Sequence, residues 1–419
     1  MNVAFKKIDI TPYLPVQLSG YGKLQVAYKV HDNLYARAFL FQNDEREILW
    51  VQLDLAIFDE YLLNLISEKT EVSKDNLIVS STHTHSGPGG TIDTYEGLME
   101  GLDFDIGGHL NPEYCHRIAS SLAEAVKEMR QEVKPATLRI WRGKVYGIGT
   151  DRHDPSFKAD EDALILEFST EEKKAMILRL SCHATVLHED NLEISADFPG
   201  EIEPHFKDYE MVAFVNGSAG DMSPRFTRKE STFEECKRLG KLAADQVKEL
   251  MKNEVTIYED FTMNLKQKVF SVPSKKMKDR MELEKERQLT KDKIEEVKRL
   301  KLSESEMRLH ESVLEGISNQ LLSYNAFSKI TEVSVNVGAL ELPGLTIVFT
   351  PLELFSKLSN PLKEKYNYEF VGYTNGFKCY MPDKRAYELN YYEVFSTPYA
   401  CGSGELLMEY IEKWLNEEK

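Results

Sequence analysis

Short apolar runs separated by amphipathic or turn-rich stretches recur from the N-terminus to about residue 270. Examples are Ala38-Phe39-Leu40-Phe41, Ile48-Leu49-Trp50-Val51, Leu164-Ile165-Leu166, Met176-Ile177-Leu178 and Met211-Val212-Ala213-Phe214-Val215. Runs of this length, rich in branched and aromatic side chains, read as buried strands. Residues 59–69, 112–131 and 232–252 read instead as helices. Such alternation predicts an α/β fold, a mixed β-sheet flanked by helices. Sheet-like sequence returns at 330–337 and 345–349, and residues 405–418 read as a closing helix.

The stretch 275–322 breaks this pattern. Residues 275–301 carry charges of both signs and few apolar side chains, and Ser303-Glu304-Ser305-Glu306 then offers a capping box. Leu309, Val313, Ile317 and Leu321 follow four residues apart, a stripe that packs on one surface. A charged helical hairpin inserted within a single catalytic domain, 1–419, is the simplest reading. Its first helix is expected to be too charged to bury any side. The hairpin either covers a substrate entrance or forms a solvated excursion or dimer contact.

Composition narrows the partners. A chain of 419 residues with 42% hydrophobic content can bury a large core. The formal charge of −17, from 69 acidic and 52 basic residues, opposes binding to nucleic acid or anionic membranes. No apolar run is long enough to span a bilayer and the first residues lack a signal-peptide core, so a cytoplasmic location is expected. Five scattered cysteines with no Cys-x-x-Cys pair suit free thiols and leave no cysteine metal site.

The chemistry concentrates in a few loops. Ser80-Ser81-Thr82-His83-Thr84-His85-Ser86-Gly87-Pro88-Gly89-Gly90 puts two imidazoles at the end of the apolar run 76–79 and follows them with glycines that let backbone approach a ligand. On a strand, His83 and His85 point to the same face and can converge on one ion or substrate. The pair reads as a metal or acid/base site, or as one imidazole bonded to a carbonyl and one solvated. A catalytic zinc takes further His or carboxylate ligands and keeps a position open. His183, just after 176–180, is such a candidate, or a satisfied core residue. The polar loop Asn216-Gly217-Ser218-Ala219-Gly220-Asp221-Met222-Ser223-Pro224 follows the run 211–215 and is otherwise only a turn. Glu353, between apolar neighbours after 345–349, is costly to bury unless paired or metal-bound, though it can also sit in a helix starting at Pro351. Residues 372–393 are dense in tyrosine, as core or as a polar-tipped pocket wall.

These segments, in this order, resemble the neutral/alkaline (non-lysosomal) ceramidase family of zinc amidases, which split the N-acyl bond of ceramides. The resemblance runs from Ile8-Asp9-Ile10-Thr11-Pro12 and Gly20-Tyr21-Gly22, through Tyr35-Ala36-Arg37-Ala38 and the Thr-His-Thr-His-Ser-Gly-Pro-Gly-Gly string, to Tyr392-Glu393. It implies Zn2+ held by His83, His183, Glu353 and Tyr380. It also implies that His85, Arg152 and Tyr392 contact the substrate amide and that Ser223 is needed for activity. The implied reaction is hydrolysis of a ceramide-like lipid amide. Family members typically carry a leader or anchor and a further C-terminal β-sandwich, and have Pro-Gly-Glu-Phe where this chain has Pro-Leu-Glu-Leu-Phe. The charged hairpin has no evident counterpart in the family pattern. Two other readings are a different metallohydrolase, such as a TIM-barrel amidohydrolase, and a non-catalytic lipid-binding relative.

Overall fold

The computed structural model describes residues 1–21, 24–94, 97–100, 108–300 and 304–417. Gly22, Ser303 and Glu418 therefore lie outside the described residues, as does the side chain of Leu309. The α/β expectation holds, but the strands form three principal sheets and not one. The first runs in the order Leu77–Ser81, Glu47–Leu53, Tyr35–Gln42, Asn2–Asp9, Lys134–Pro135. The second runs Met211–Asn216, Lys174–Leu180, Asp162–Ser169, Thr137–Lys144, Thr256–Tyr258. The third runs Asn264–Pro273, Glu332–Leu342, Leu345–Phe349, Tyr368–Val371. Each is antiparallel except for one parallel pair at an edge: Glu47–Leu53 with Leu77–Ser81, Lys174–Leu180 with Met211–Asn216, and Leu345–Phe349 with Tyr368–Val371.

The continuous apolar runs have a direct cause, because both faces of each sheet are covered. One face of each looks into a shared core. Phe39, Phe41 and Trp50 meet Phe168 and Ile177 from the second sheet and Phe349 from the third. Trp50 stands edge-on to Phe349 at 5.1 Å between centroids, and Phe41 to Phe168 at 4.9 Å. Burying each such ring contributes about 1.5–3 kcal/mol. The other faces carry helices. Ala38, Leu40, Leu49 and Val51 pack against Leu62, Ile66, Ile118 and Leu122 of helices Glu60–Thr70 and Pro112–Glu132. Helix Phe233–Leu250 covers the second sheet, and Ser356–Tyr366 and Ser403–Glu417 cover the third.

Helix starts follow cap chemistry. The side chains of Asp59, Asn111 and Thr232 accept from the N–H groups of Tyr61, Tyr114 and Glu235.

The charged hairpin is present as helices Arg280–Leu300 and Glu304–Leu322. It interrupts the turn of a β-hairpin, since Pro273 and Glu332 are cross-strand partners on either side of it. Its first helix does bury a stripe, Leu283, Thr290, Ile294 and Val297, contrary to expectation. Four positions on one face suffice, and the charges occupy the rest of the circumference. Ile317 and Leu321 bury against Leu283, with Val313 packed alongside. Among the described residues no helix is long and apolar enough to cross a membrane. All five cysteines are free thiols.

Candidate metal centre and active-site cleft

The three parallel edges converge at the carboxyl ends of their strands, the usual position for a site in parallel β structure. The Ser81 N–H donates to the Tyr373 carbonyl at 3.0 Å, and the Gly372 N–H to the Asn216 carbonyl at 3.0 Å. Asn216, fully buried, ties the other two loops together. Its Nδ2 donates to the carbonyls of Cys182 (2.8 Å) and Thr82 (3.3 Å), while its Oδ1 accepts from the Cys182 N–H. Each sheet thus delivers donors to one point: His83 and His85 from the first, His183 from the second, Glu353 from the third.

The His-x-His geometry differs from an extended strand. The strand stops at Ser81, and His83 sits at φ 65°, in the left-handed region. That conformation costs on the order of 1 kcal/mol for a non-glycine residue. It is held by the His83 N–H on the Leu55 carbonyl (2.9 Å) and the Thr82 N–H on the Leu53 carbonyl (2.9 Å). A turn, rather than strand alternation, brings the two rings together, with centroids 4.6 Å apart.

Tautomers follow from the partners. His83 Nδ1 faces the Ala56 carbonyl at 2.8 Å, and His183 Nδ1 faces the carbonyls of Ala219 (2.7 Å) and Met222 (2.9 Å). A carbonyl only accepts, so each Nδ1 carries the proton and each Nε2 lone pair points inward, the arrangement typical of metal-ligating imidazoles. The Nε2 of His83 and of His183 lie 3.3 and 3.0 Å from Glu353 Oε2, and His85 Nε2 lies 3.1 Å from His83 Nε2. Donor atoms of His83, His85 and His183 all lie within 4.8 Å of one another. Four buried donors from two residue types that suit zinc, with the His83 and His183 protons directed away from a common centre, fit a divalent metal of that kind. Burial drives His85 well below its ordinary value, so that ring is neutral. Glu353 lies in the short strand Glu353–Leu354, paired in parallel with Tyr380–Met381, and the helix there starts only at Ser356.

Tyr380 reaches the same point, its hydroxyl 3.4 Å from His183 Nε2 and 3.3 Å from Arg152 Nη1. Arg152 Nη1 also lies 3.4 Å from Glu393, whose other oxygen is 2.9 Å from His153 Nε2. His153 is stacked on Tyr391 at 3.7 Å and stands 3.4 Å from Asp151, which Lys357 contacts at 2.6 Å. Burial lowers the Arg152 pKa, but Tyr380 and Glu393 more than compensate and raise it. Tyr392 lines the cleft, its hydroxyl accepting from Asn319 Nδ2 at 2.8 Å. Ser223 is buried but its hydroxyl accepts from the Arg225 N–H at 3.3 Å, as the cap of a short helical turn. It adjoins the site through Met222, whose carbonyl receives His183. Sequence reading gave no role to Glu393 and did not single out His153, Asn216 as a tie, or Asn319.

The floor of the cleft is His83, His85, Glu353 and Tyr380; Ile57, Met99, Phe377, Leu322 and Phe327 make an apolar wall. Leu322 and Phe327 come from the end of the inserted hairpin and the short helix after it, so the insertion does border the cleft.

Below the floor, Asp221 accepts from the Ser356 N–H (2.7 Å) and hydroxyl (2.9 Å), and burial raises its pKa from 3.8 to about 7. Between those values the folded state binds the extra proton, so stability is highest below the unfolded pKa and falls as pH rises toward 7. Denaturant titrations across pH 4–7 are expected to show wild-type stability declining relative to Asp221→Asn, by on the order of a few kcal/mol in total. Parallel profiles for the two proteins contradict it.

The chain is similar to known proteins. The profile described as neutral/alkaline non-lysosomal ceramidase, N-terminal, matches residues 2–313. A neutral ceramidase of Mycobacterium tuberculosis is 26% identical over 242 residues, covering 49% of this chain and 37% of that protein. Neutral ceramidase 3 of Arabidopsis thaliana is 25% identical over 158 residues, covering 36% of this chain and 21% of that one. The matched stretches thus span well under half the length of these relatives. Among solved structures, the neutral ceramidase of Pseudomonas aeruginosa superposes with a TM-score of 0.73 at 18% identity, covering 98% of this chain and 73% of that one. A match over three quarters of the sequence, together with the same fold, establishes that the chain belongs to the neutral/alkaline non-lysosomal ceramidase family.

Proposed function

We propose that this protein is a zinc-dependent amidohydrolase that cleaves the N-acyl bond of a ceramide-like lipid amide. The observation that carries this reading is the convergence of His83, His85, His183 and Glu353 at the base of a mostly apolar cleft that His83, His85 and Glu353 line, with the Nδ1 protons of His83 and His183 locked outward. His83, His183, Glu353 and Tyr380 are the residues assigned to hold the metal. Bound there, zinc supplies Lewis acidity toward water and the amide carbonyl.

The remaining groups do the binding and proton work. Arg152 presents its guanidinium beside the Tyr380 oxygen, where negative charge builds on the attacked carbonyl. The Tyr392 hydroxyl faces the same cleft as a second donor. His85, neutral and buried, can pass a proton at a ring nitrogen to the departing amine. Ser223 secures the turn that holds the Met222 carbonyl on His183, a positioning role rather than a nucleophilic one. The apolar wall accommodates an acyl or alkyl chain and keeps water from it.

Mass spectrometry of products from ceramides, N-acyl amino acids and simple N-acyl amines, alongside elemental analysis, tests the proposal. One zinc per chain and release of fatty acid from a ceramide are expected. Absence of hydrolysis across the panel by zinc-loaded protein overturns it.

Gly20 supplies a sharper test of His85. A Cβ there would stand 2.5 Å from the His85 Cγ and Nδ1, and Gly20 sits at φ 116°, which L side chains rarely adopt. Gly20→Ala is expected to displace the ring and lower kcat about 10²-fold, the scale expected when a catalytic group moves by 1 Å. Unchanged kcat removes His85 from the proton chemistry.

A further inference from the structure

The inserted hairpin is built against the turn that carries Tyr392. Lys275, where the insertion leaves the sheet, is half-buried and donates Nζ to the carbonyls of Val394 and Phe395 at 2.9 Å each. Gly316 lets helix Glu304–Leu322 approach closely, since a Cβ there would lie 2.7 Å from Phe395 Cβ. Less than one turn further along the same helix, Asn319 Nδ2 donates to the Tyr392 hydroxyl at 2.8 Å and to Ser396 Oγ at 3.0 Å. Both hydrogen bonds come from one amide nitrogen with two protons, so its donor capacity is used and its orientation is fixed.

The consequence for the phenol is directional. With the oxygen accepting from Asn319, the O–H of Tyr392 is left to donate elsewhere, and the cleft it lines holds the substrate carbonyl in the function proposed above. An amide donor also polarises the phenol, strengthening the hydrogen bond that the O–H gives. Without it, the Ser396 side chain remains as a hydrogen-bond partner of the phenol and competes with the cleft for its O–H.

We propose that Asn319 is a positioning residue for Tyr392, and that the inserted hairpin thereby completes the catalytic cleft from outside the three-sheet core. The inference rests on the assignment of Tyr392 to the substrate amide. It adds the helix Glu304–Leu322 to the machinery that the metal-bearing loops provide.

A double-mutant cycle decides it, using the full zinc-loaded chain and the ceramide it hydrolyses. Asn319→Leu is expected to lower kcat about tenfold with KM within about twofold. Asn319→Asp, which can only accept and therefore captures the phenol proton, is expected to lower it at least as far. Tyr392→Phe lowers kcat further, and adding Asn319→Leu to it changes kcat by less than about twofold, because the residue acts through the missing hydroxyl. Additive losses, or a loss confined to KM, overturn the proposal.

If no amide in the panel is hydrolysed, the functional reading fails separately, and the positioning claim is read from fluorotyrosine incorporated at position 392. Its 19F resonance is expected to move in Asn319→Leu and Asn319→Asp and to stay in place in Leu289→Ala, an exposed control on the first hairpin helix. A resonance unmoved by either Asn319 substitution overturns the inference irrespective of activity.

Discussion

Replacing His183 by alanine is expected to abolish metal retention and amide hydrolysis together, with kcat falling by more than about 10³-fold, because the metal-assisted pathway is lost as a unit. His183 is one of two imidazoles whose Nδ1 is anchored on backbone carbonyls and whose Nε2 faces Glu353. Its loss leaves the Glu353 carboxylate buried with one imidazole fewer, so the remaining donors also hold less well. His85→Ala is expected to keep the metal and lose mainly turnover, since His85 Nδ1 has no anchoring partner. Elemental analysis of both variants beside kcat separates these roles. Equal metal loss in the two makes His85 a ligand, which the 4.8 Å grouping of the three imidazoles permits geometrically.

Arg152→Met is expected to lower kcat by about 10²- to 10³-fold with metal content unchanged, the usual cost of removing one donor from a site of developing negative charge. The substitution keeps an unbranched, largely apolar stem and removes the charge that faces the Tyr380 hydroxyl. It also leaves Glu393, fully buried, with His153 as its remaining charged contact, so Tm is expected to fall as well. Burial depresses the His153 pKa while Glu393 and Asp151 raise it, and the net is upward. His153 therefore stays protonated to higher pH and partly compensates Glu393. A variant with kcat within tenfold of wild type shows that Arg152 serves Glu393 and not the substrate.

The sequence made the ingredients of this site readable because metal chemistry constrains residue type locally. His83 and His85 stand in one string, and His183 and Glu353 each follow an apolar run whose strand leads to them, whereas Tyr380 was legible only through the family resemblance. The helix boundaries at Asp59, Asn111 and Thr232 were legible for the same reason, since a cap is chosen by the few residues beside it. Pairing was not legible. An apolar run identifies a strand buried on both faces, but nothing within it says which of three sheets it joins. Glu393 and His153 meet across 240 positions, and Asn319 and Tyr392 across 73, so neither contact leaves a local pattern. Asn216 reads as the first residue of a polar turn, and only the folded loops reveal that its amide spans two histidine-bearing segments. The buried stripe of the first hairpin helix was hidden by the charges around it.

The delivery of donors by three separate sheets makes metal occupancy a property of assembly. An ion gripped from one loop reports on that loop; an ion gripped at the junction of three edges acts as a keystone, lost when any edge withdraws. Its binding energy is then shared by all three sheets, and occupancy at 100 times the dissociation constant adds about 2.7 kcal/mol to global stability. Chelation is accordingly expected to lower Tm for the whole chain in one transition, rather than loosen the His83 loop alone.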